Sequence, residues 1–288
     1  MVRVLARQPI TFEAAGGKKV HAPLIVATLS GGANVPTVEA RLVLDTGSDT
    51  HLITEEVADA LALAREPGEE GTDHSGATMA SWSVGSVGMS LGGFSVDLVD
   101  VVAIQAPAAF KDQGIGGILS PQQLHPSAWT VIDMVGNELM LVDGDEDEVA
   151  RLIHDRAPEH VLLTLPREPG FATVVARAAI EPFPEIPTLV NSGGRGTEFS
   201  AAALPGLVPT EAGRLGAGVS GTDVTGSLVG ARTLLLGGRR LAVEALAVRP
   251  EMHDPQGMVG MDVLRGCVLA CSFDPSRPTL LGINNWVN

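Results

Sequence analysis

The 288-residue chain has no tyrosine, only two cysteines, and aromatic residues make up just 3% of it. Cys267 and Cys271 lie four apart in an apolar segment. On a strand that spacing puts them on one face about 13 Å apart, too far for a disulfide. Two thiols are too few for a metal, and no histidine pair has H-x-x-H or H-E-x-x-H spacing, so no zinc site and no cofactor are expected. Basic residues are scarce, 19 Lys and Arg against 34 Asp and Glu, for a formal charge of −15. Such a surface repels phosphate backbones, which argues against nucleic acid as a partner; it suits either a basic or neutral polypeptide partner or a plain solvated acidic surface. No apolar run approaches the ~18 residues of a membrane span. Residues 1–14 lack a charged-then-apolar signal pattern, and a cytoplasmic location is expected. At 18% charged and 45% hydrophobic, the chain has material for a core and too little charge for disorder.

What is present is turn-rich and strand-like: 34 Gly, 19 Pro and Val-rich runs predict a mainly β fold. Residues 24–29 read as a strand, Ser30-Gly31-Gly32-Ala33-Asn34 as its turn and 38–44 as the returning strand. Leu52-Ile53-Thr54 continues extended, and Thr54 is placed to cap a short helix over 55–61. Residues 66–77 are polar and glycine-rich, and a strand-like stretch through Trp82 follows. Segments 87–91 and 94–104 flank a Gly92-Gly93 hairpin turn. After 115–119 and a short helix at 121–124, strands 129–133 and 138–142 close a hairpin around Gly136-Asn137. The acidic run from Asp143 to Glu148 leads into a short exposed helix, 149–154. The run reads as a solvated face rather than a calcium site, since its spacing does not fit an EF-hand loop.

The strand 38–44 runs into Leu42-Val43-Leu44-Asp45-Thr46-Gly47-Ser48. A carboxylate at the end of a buried strand is costly unless hydrogen bonds or a task hold it there. Gly47 allows a sharp turn with close approach of its N–H, and Thr46 and Ser48 bring hydroxyls to anchor it. Taken alone, the string would also suit an Asx-type turn. It is answered, however, by Thr188-Leu189-Val190-Asn191-Ser192-Gly193-Gly194, 146 residues on by the Asp45-to-Asn191 offset. Leu236-Gly237-Gly238 answers Leu91-Gly92-Gly93, and Met258-Val259-Gly260 answers Ile115-Gly116-Gly117, at offsets of 145 and 143. Three landmarks in one order at nearly one offset predict two similar halves. Their expected bounds are 1–145, an acidic linker with a short helix at 146–160, and 161–288.

These motifs resemble those of aspartic peptidases, with the short halves and Gly-Met-Asp-Val-Leu closest to the retropepsin-like branch. The resemblance covers about residues 20–285. It implies a bilobal, pepsin-like acid protease fold, two pseudo-symmetric β-barrel lobes with a cleft between them. Each lobe would give one Asp-Thr/Ser-Gly loop, crossed behind by an apolar-apolar-Gly strand near Gly117 and Gly260. Two carboxylates held close share a proton, one activating water and the other donating to the scissile carbonyl. Asp45 and position 191 would form that dyad, with Thr46, Gly47, Ser48, Ser192 and Gly193 bracing the loops. With both loops in one chain, a monomer acting on a peptide or protein is expected.

The chain departs from the family pattern in two places. Asn191 stands where the second carboxylate is expected, and an amide cannot exchange the shared proton. The sequence leaves open whether an aspartate was replaced or the asparagine is native. The flap, about 73–85, lacks the Tyr of pepsin-like enzymes and offers His74, Met79 and Trp82 as its large residues. Trp82 suits either a substrate cover or a residue buried at the hairpin base. Residues 216–226 suit a second flap or an ordinary loop. Arg195 suits a contact to an acidic substrate residue or a plain surface arginine. Asp49 is expected in turn hydrogen bonds and Asp262 as a cap after Gly260. Three functions follow: an aspartic endopeptidase for a particular precursor, a non-catalytic peptide-binding module, or a scaffold with an unused cleft.

Overall fold

A computed structural model describes residues 2–32, 35–207 and 211–285. The fold is mainly β, and three large sheets hold nearly all of its strands. The turn expected at 30–34 falls partly outside the described residues, at Ala33 and Asn34.

An eight-stranded sheet is built from residues 11–104 and the short strand Gly117–Leu119. At its centre Gly117–Leu119 lies parallel to Thr37–Leu44 and antiparallel to Leu52–Thr54, which runs parallel to Phe94–Ile104. A nine-stranded sheet covers residues 175–259 and repeats this order. Gly257–Val259 lies parallel to Ile186–Val190 and antiparallel to Glu198–Ser200, which runs parallel to Ala247–Arg249. The turns at Gly92-Gly93 and Gly237-Gly238 both use positive φ at each glycine, as a tight hairpin turn requires.

The register corrects one pairing read from the sequence. Leu44 is opposite Leu119 and Val190 opposite Val259, so Gly117 answers Gly257, and Gly260 answers Ser120. Glycine identity had suggested Gly117 with Gly260. Crowding explains the shared glycine at the true positions. A Cβ on Gly117 would lie 2.2 Å from the Leu52 carbonyl oxygen, and one on Gly257 would lie 2.8 Å from Thr188 Oγ1.

A six-stranded sheet joins strands from both ends of the chain, in the order Arg3–Pro9, Glu138–Asp143, Trp129–Asp133, Val268–Ser272, Thr279–Ile283, Val161–Leu165. The helix expected to be short and exposed at 149–154 instead runs Glu146–Arg156. Asp145 and Glu148 close a capping box at its start, which is the work of part of the acidic run. Val149 and Ile153, four apart, are buried against Trp129, Val131, Met140 and Val268, so one face of this helix is core. Asp133 receives Val135 and Gly136 N–H groups and Arg156 Nε at 2.6 Å, pinning the 134–137 turn to the helix. The sequence reading had no element at Ala108–Gln113, which is a short helix closed by Gly114 at φ 63°.

Thr54 caps the helix Glu55–Ala60 as expected, through its side chain to Val57 N–H. Cys267 and Cys271 are buried and free, and burial pushes the Cys271 thiol up to about 12. No helix among the described residues is long and apolar enough to cross a membrane.

Gly117→Ala is expected to cost about 1–3 kcal/mol through overpacking. Gly71→Ala, with nothing within 4 Å of its added carbon, should be close to neutral. Urea unfolding of the two variants beside the parent checks this.

Candidate active site

Asp45 and Asn191 sit at the ends of the two equivalent strands, Thr37–Leu44 and Ile186–Val190. Each is held by the same main-chain bond. Asp45 N–H donates to Leu119 O and Asn191 N–H to Val259 O, both 2.9 Å. The strand crossing behind each loop therefore fixes where its polar side chain starts.

The loops interlock through their hydroxyls. Thr46 Oγ1 donates to Val190 O at 2.5 Å and accepts from Ser192 N–H at 3.0 Å. Ser192 Oγ donates to Leu44 O at 2.8 Å and accepts from Thr46 N–H at 3.1 Å. Both residues are fully buried, so water cannot replace these partners. The glycines let the loops meet. A Cβ on Gly47 would lie 2.7 Å from Asn191 Nδ2, and one on Gly193 would lie 2.3 Å from Asp45 Oδ2. Ser48 braces its own loop by donating to Thr50 O at 2.6 Å, and Gln122 Nε2 donates to Ser48 O at 2.8 Å.

The two polar side chains have different surroundings. Asp45 Oδ1 accepts from Gly47 N–H at 2.8 Å. Burial raises the Asp45 pKa, and the Gly47 bond, the nearby His74 and Gly193 N–H only partly offset that. Asn191 Oδ1 accepts from Gly193 and Gly194 N–H groups at 2.8 and 3.0 Å. Its Nδ2 is thereby turned to Met258 Sδ at 3.3 Å. Both heavy atoms of the amide have partners, but it has no proton to exchange with Asp45.

Two hairpins reach this region. In the first, Asp73 accepts from Ser75 N–H and, across the chain, from Ser220 N–H at 2.7 Å. His74 Nε2 lies 3.0 Å from Glu198 Oε2, and its carbonyl accepts from Arg249 Nη1 at 2.9 Å. The second hairpin, strands Glu211–Ala217 and Asp223–Leu228, brings residues 218–222 to Asp73 and packs Val219 against Leu52 and Ile118. Residues 216–226 therefore belong to a β-hairpin and not to an irregular loop.

Other residues named from the sequence lie farther out. Trp82 packs on the main core beneath Arg65, whose guanidinium carbon is 6.0 Å from the ring centroid, as at a hairpin base. Met79 is half-buried and pairs with Gly71, and Arg195 is exposed. Asp49 contributes its main-chain carbonyl, which accepts from Gln123 Nε2. Asp262 reaches back to Thr197, accepting from its N–H at 3.0 Å and its hydroxyl at 2.9 Å, and burial raises its pKa. At the position equivalent to Thr197, buried His51 takes Ser120 N–H on Nδ1, and burial lowers its pKa to about 4. A surface depression of about 290 Å³ lined by Arg41, Phe110 and Lys111 contains neither loop.

The sequence reading missed His21, Glu198, Arg249 and the contact of Met258 with Asn191. His21 Nε2 lies 3.0 Å from Gly193 O. Its signal is absent from local sequence, because it comes 172 residues before its partner. Glu198 could have been found by counting, since it follows Asn191 by the same seven residues that separate Leu52 from Asp45.

Thr46→Val removes both bonds of one hydroxyl and strands Val190 O and Ser192 N–H, so a loss of at least about 2 kcal/mol is expected by chemical denaturation. The raised Asp45 pKa means that the native state keeps a proton the unfolded chain has already released. Its stability therefore falls as pH rises from the ordinary carboxylate range through the raised value. Asp45→Asn should be the more stable chain at neutral pH, with its advantage fading as pH falls through the raised value toward about 4, where the unfolded carboxylate also takes up its proton. Paired melts from pH 3 to pH 8 check the sign.

No curated protein matches the chain. Residues 13–120, which contain Asp45 with its loop and the strand crossing behind it, match the family model described as Aspartyl protease, and this supports an aspartyl protease family.

Proposed function

We propose that this protein is built as a two-lobed aspartic endopeptidase, with Asp45 as base and position 191 as the site of its partner. The lobes would be residues 1–145 and 161–288, with 146–160 between them. The observation that carries the reading is the interlock of the Asp45 and Asn191 loops, each glycine packed on the other loop's side chain. Loops held that tightly put two acid positions within reach of one water and one peptide carbonyl. Repetition of one four-strand order around both loops supports the two lobes. Both loops lie in one chain, so a monomer suffices.

The chemistry assigns each group a task. Asp45, ionised, takes a proton from water as it attacks the carbonyl. An acid at position 191 would donate to the carbonyl oxygen as negative charge develops there. An extended polypeptide would lie across the loops, its main chain paired like an added strand beneath the two hairpins. With asparagine at 191 the donor proton is missing, and cleavage by this chain is expected to be slow or absent.

A second reading is a peptide-binding module that releases its ligand intact. One observation favours it: Asn191 accepts two N–H groups on Oδ1 and donates from Nδ2 to Met258, so both ends of the amide have partners.

Asn191→Asp separates the two. Peptide cleavage, read by mass spectrometry on a mixed library from pH 3 to pH 8, is expected to rise at least about 10²-fold over the parent. Asn191→Asp combined with Asp45→Asn should cut nothing. Retention of peptides by all three chains without cleavage would replace the protease reading with the binding one.

A further inference from the structure

Strand register makes the two faces beside the loops directly comparable. On the N-terminal side Ile118 is the Cα partner of both Val43 and Leu52, so these side chains share a face. They form an apolar cluster covered by Val219 from the second hairpin. On the C-terminal side Met258 is the Cα partner of both Leu189 and Glu198. Asn191 Nδ2 donates to Met258 Sδ, so this face adjoins the second loop. Its cover is His74, from the first hairpin. Each wall is thus closed by the tip of the hairpin from the other half, one contact apolar and the other charged.

Glu198 occupies the register position of Leu52, and Arg249 that of Ile104. The two side chains are only 9% and 8% exposed. Leu52 shows that this strand arrangement needs no charge at that position, and a buried carboxylate is costly without close partners. Arg249 Nη1 stands 3.7 Å from Glu198 Oε2, an ion pair beyond hydrogen-bond length. The His74 imidazole is closer, at 3.0 Å, and it belongs to a hairpin tip that must lift if a polypeptide is to enter.

We propose that Glu198 is a specificity determinant that binds a basic side chain, Lys or Arg, of an extended polypeptide in the place taken here by His74. Arg249 lies beside the same imidazole, its Nη1 3.0 Å from His74 Nε2, so an entering basic side chain shares the Glu198 carboxylate with it. The opposite wall of Val43, Leu52 and Ile118 accepts an apolar side chain. The chain would then read its substrate with a direction, basic on one side of the loops and apolar on the other. The formal charge of −15 draws positively charged substrates. The inference rests on the cleft being a site for extended peptides.

The test uses decapeptides carrying Lys, Arg, Leu, Glu or Gly at each position. Cleavage is read with Asn191→Asp and retention with the parent chain. One position is expected to favour Lys and Arg over Leu by about tenfold, the effect of one close charge pair. Glu198→Leu with Arg249→Ile, which rebuilds the Leu52 and Ile104 wall, should reverse that preference toward Leu. Glu198→Gln, which keeps the shape, should weaken it and serves if the double variant does not fold. A basic preference that is absent, or unchanged in these variants, overturns the proposal. Peptides cut or retained without basic selection sink the subsite alone. If no chain cuts or retains any peptide, the cleft reading falls and takes the subsite with it.

Discussion

Two buried hydroxyls, each donating to a carbonyl of the opposite strand and each accepting an N–H from the opposite loop, hold this molecule's centre. Thr46 and Ser192 leave no donor in the exchange unpaired, so the loops cannot separate by a little; they are either joined or broken. Everything nearby depends on that junction. It presses Gly47 onto Asn191 and Gly193 onto Asp45, which buries the Asp45 carboxyl and raises its pKa. The strands behind, ending at Leu119 and Val259, then aim the two side chains from equivalent starting points.

Against this symmetric frame the side chains diverge. Aspartate faces asparagine across the loops, Leu52 answers Glu198, and Val219 answers His74. Backbone equivalence and side-chain divergence are separate layers. The first brings the two loops together in equivalent settings. The second gives the two settings different chemistry, apolar on one side and charged on the other.

Much of this was legible in the sequence, and the parts that were not share a cause. Leu42 to Ser48 and Thr188 to Gly194 could be read because a strand end, a polar residue and a glycine make a local pattern. Gly92-Gly93 and Gly237-Gly238 were readable for the same reason, since a two-glycine turn leaves its mark within four residues. Gly257 was misread as Gly260 because a glycine's identity was matched without the strand pairing that crowds it. The burial of Val149 and Ile153 was missed because the acidic cap before them outweighed their four-residue spacing. His74 with Glu198 could not be read at all: they are 124 residues apart, and only the crossing of the hairpin brings them together.

The six-stranded sheet carries a consequence for how the site comes into being. Its central seam pairs Trp129–Asp133 with Val268–Ser272, and Val161–Leu165 waits for Thr279–Ile283. The second loop is likewise incomplete until Val259 lies behind it. A chain emerging from the ribosome can form the Asp45 loop early, but that loop has no partner until nearly all 288 residues are out. Long-range pairing thus sets the order of assembly: a half-made chain holds the Asp45 loop but neither the second loop nor the hydroxyl exchange that locks the two together.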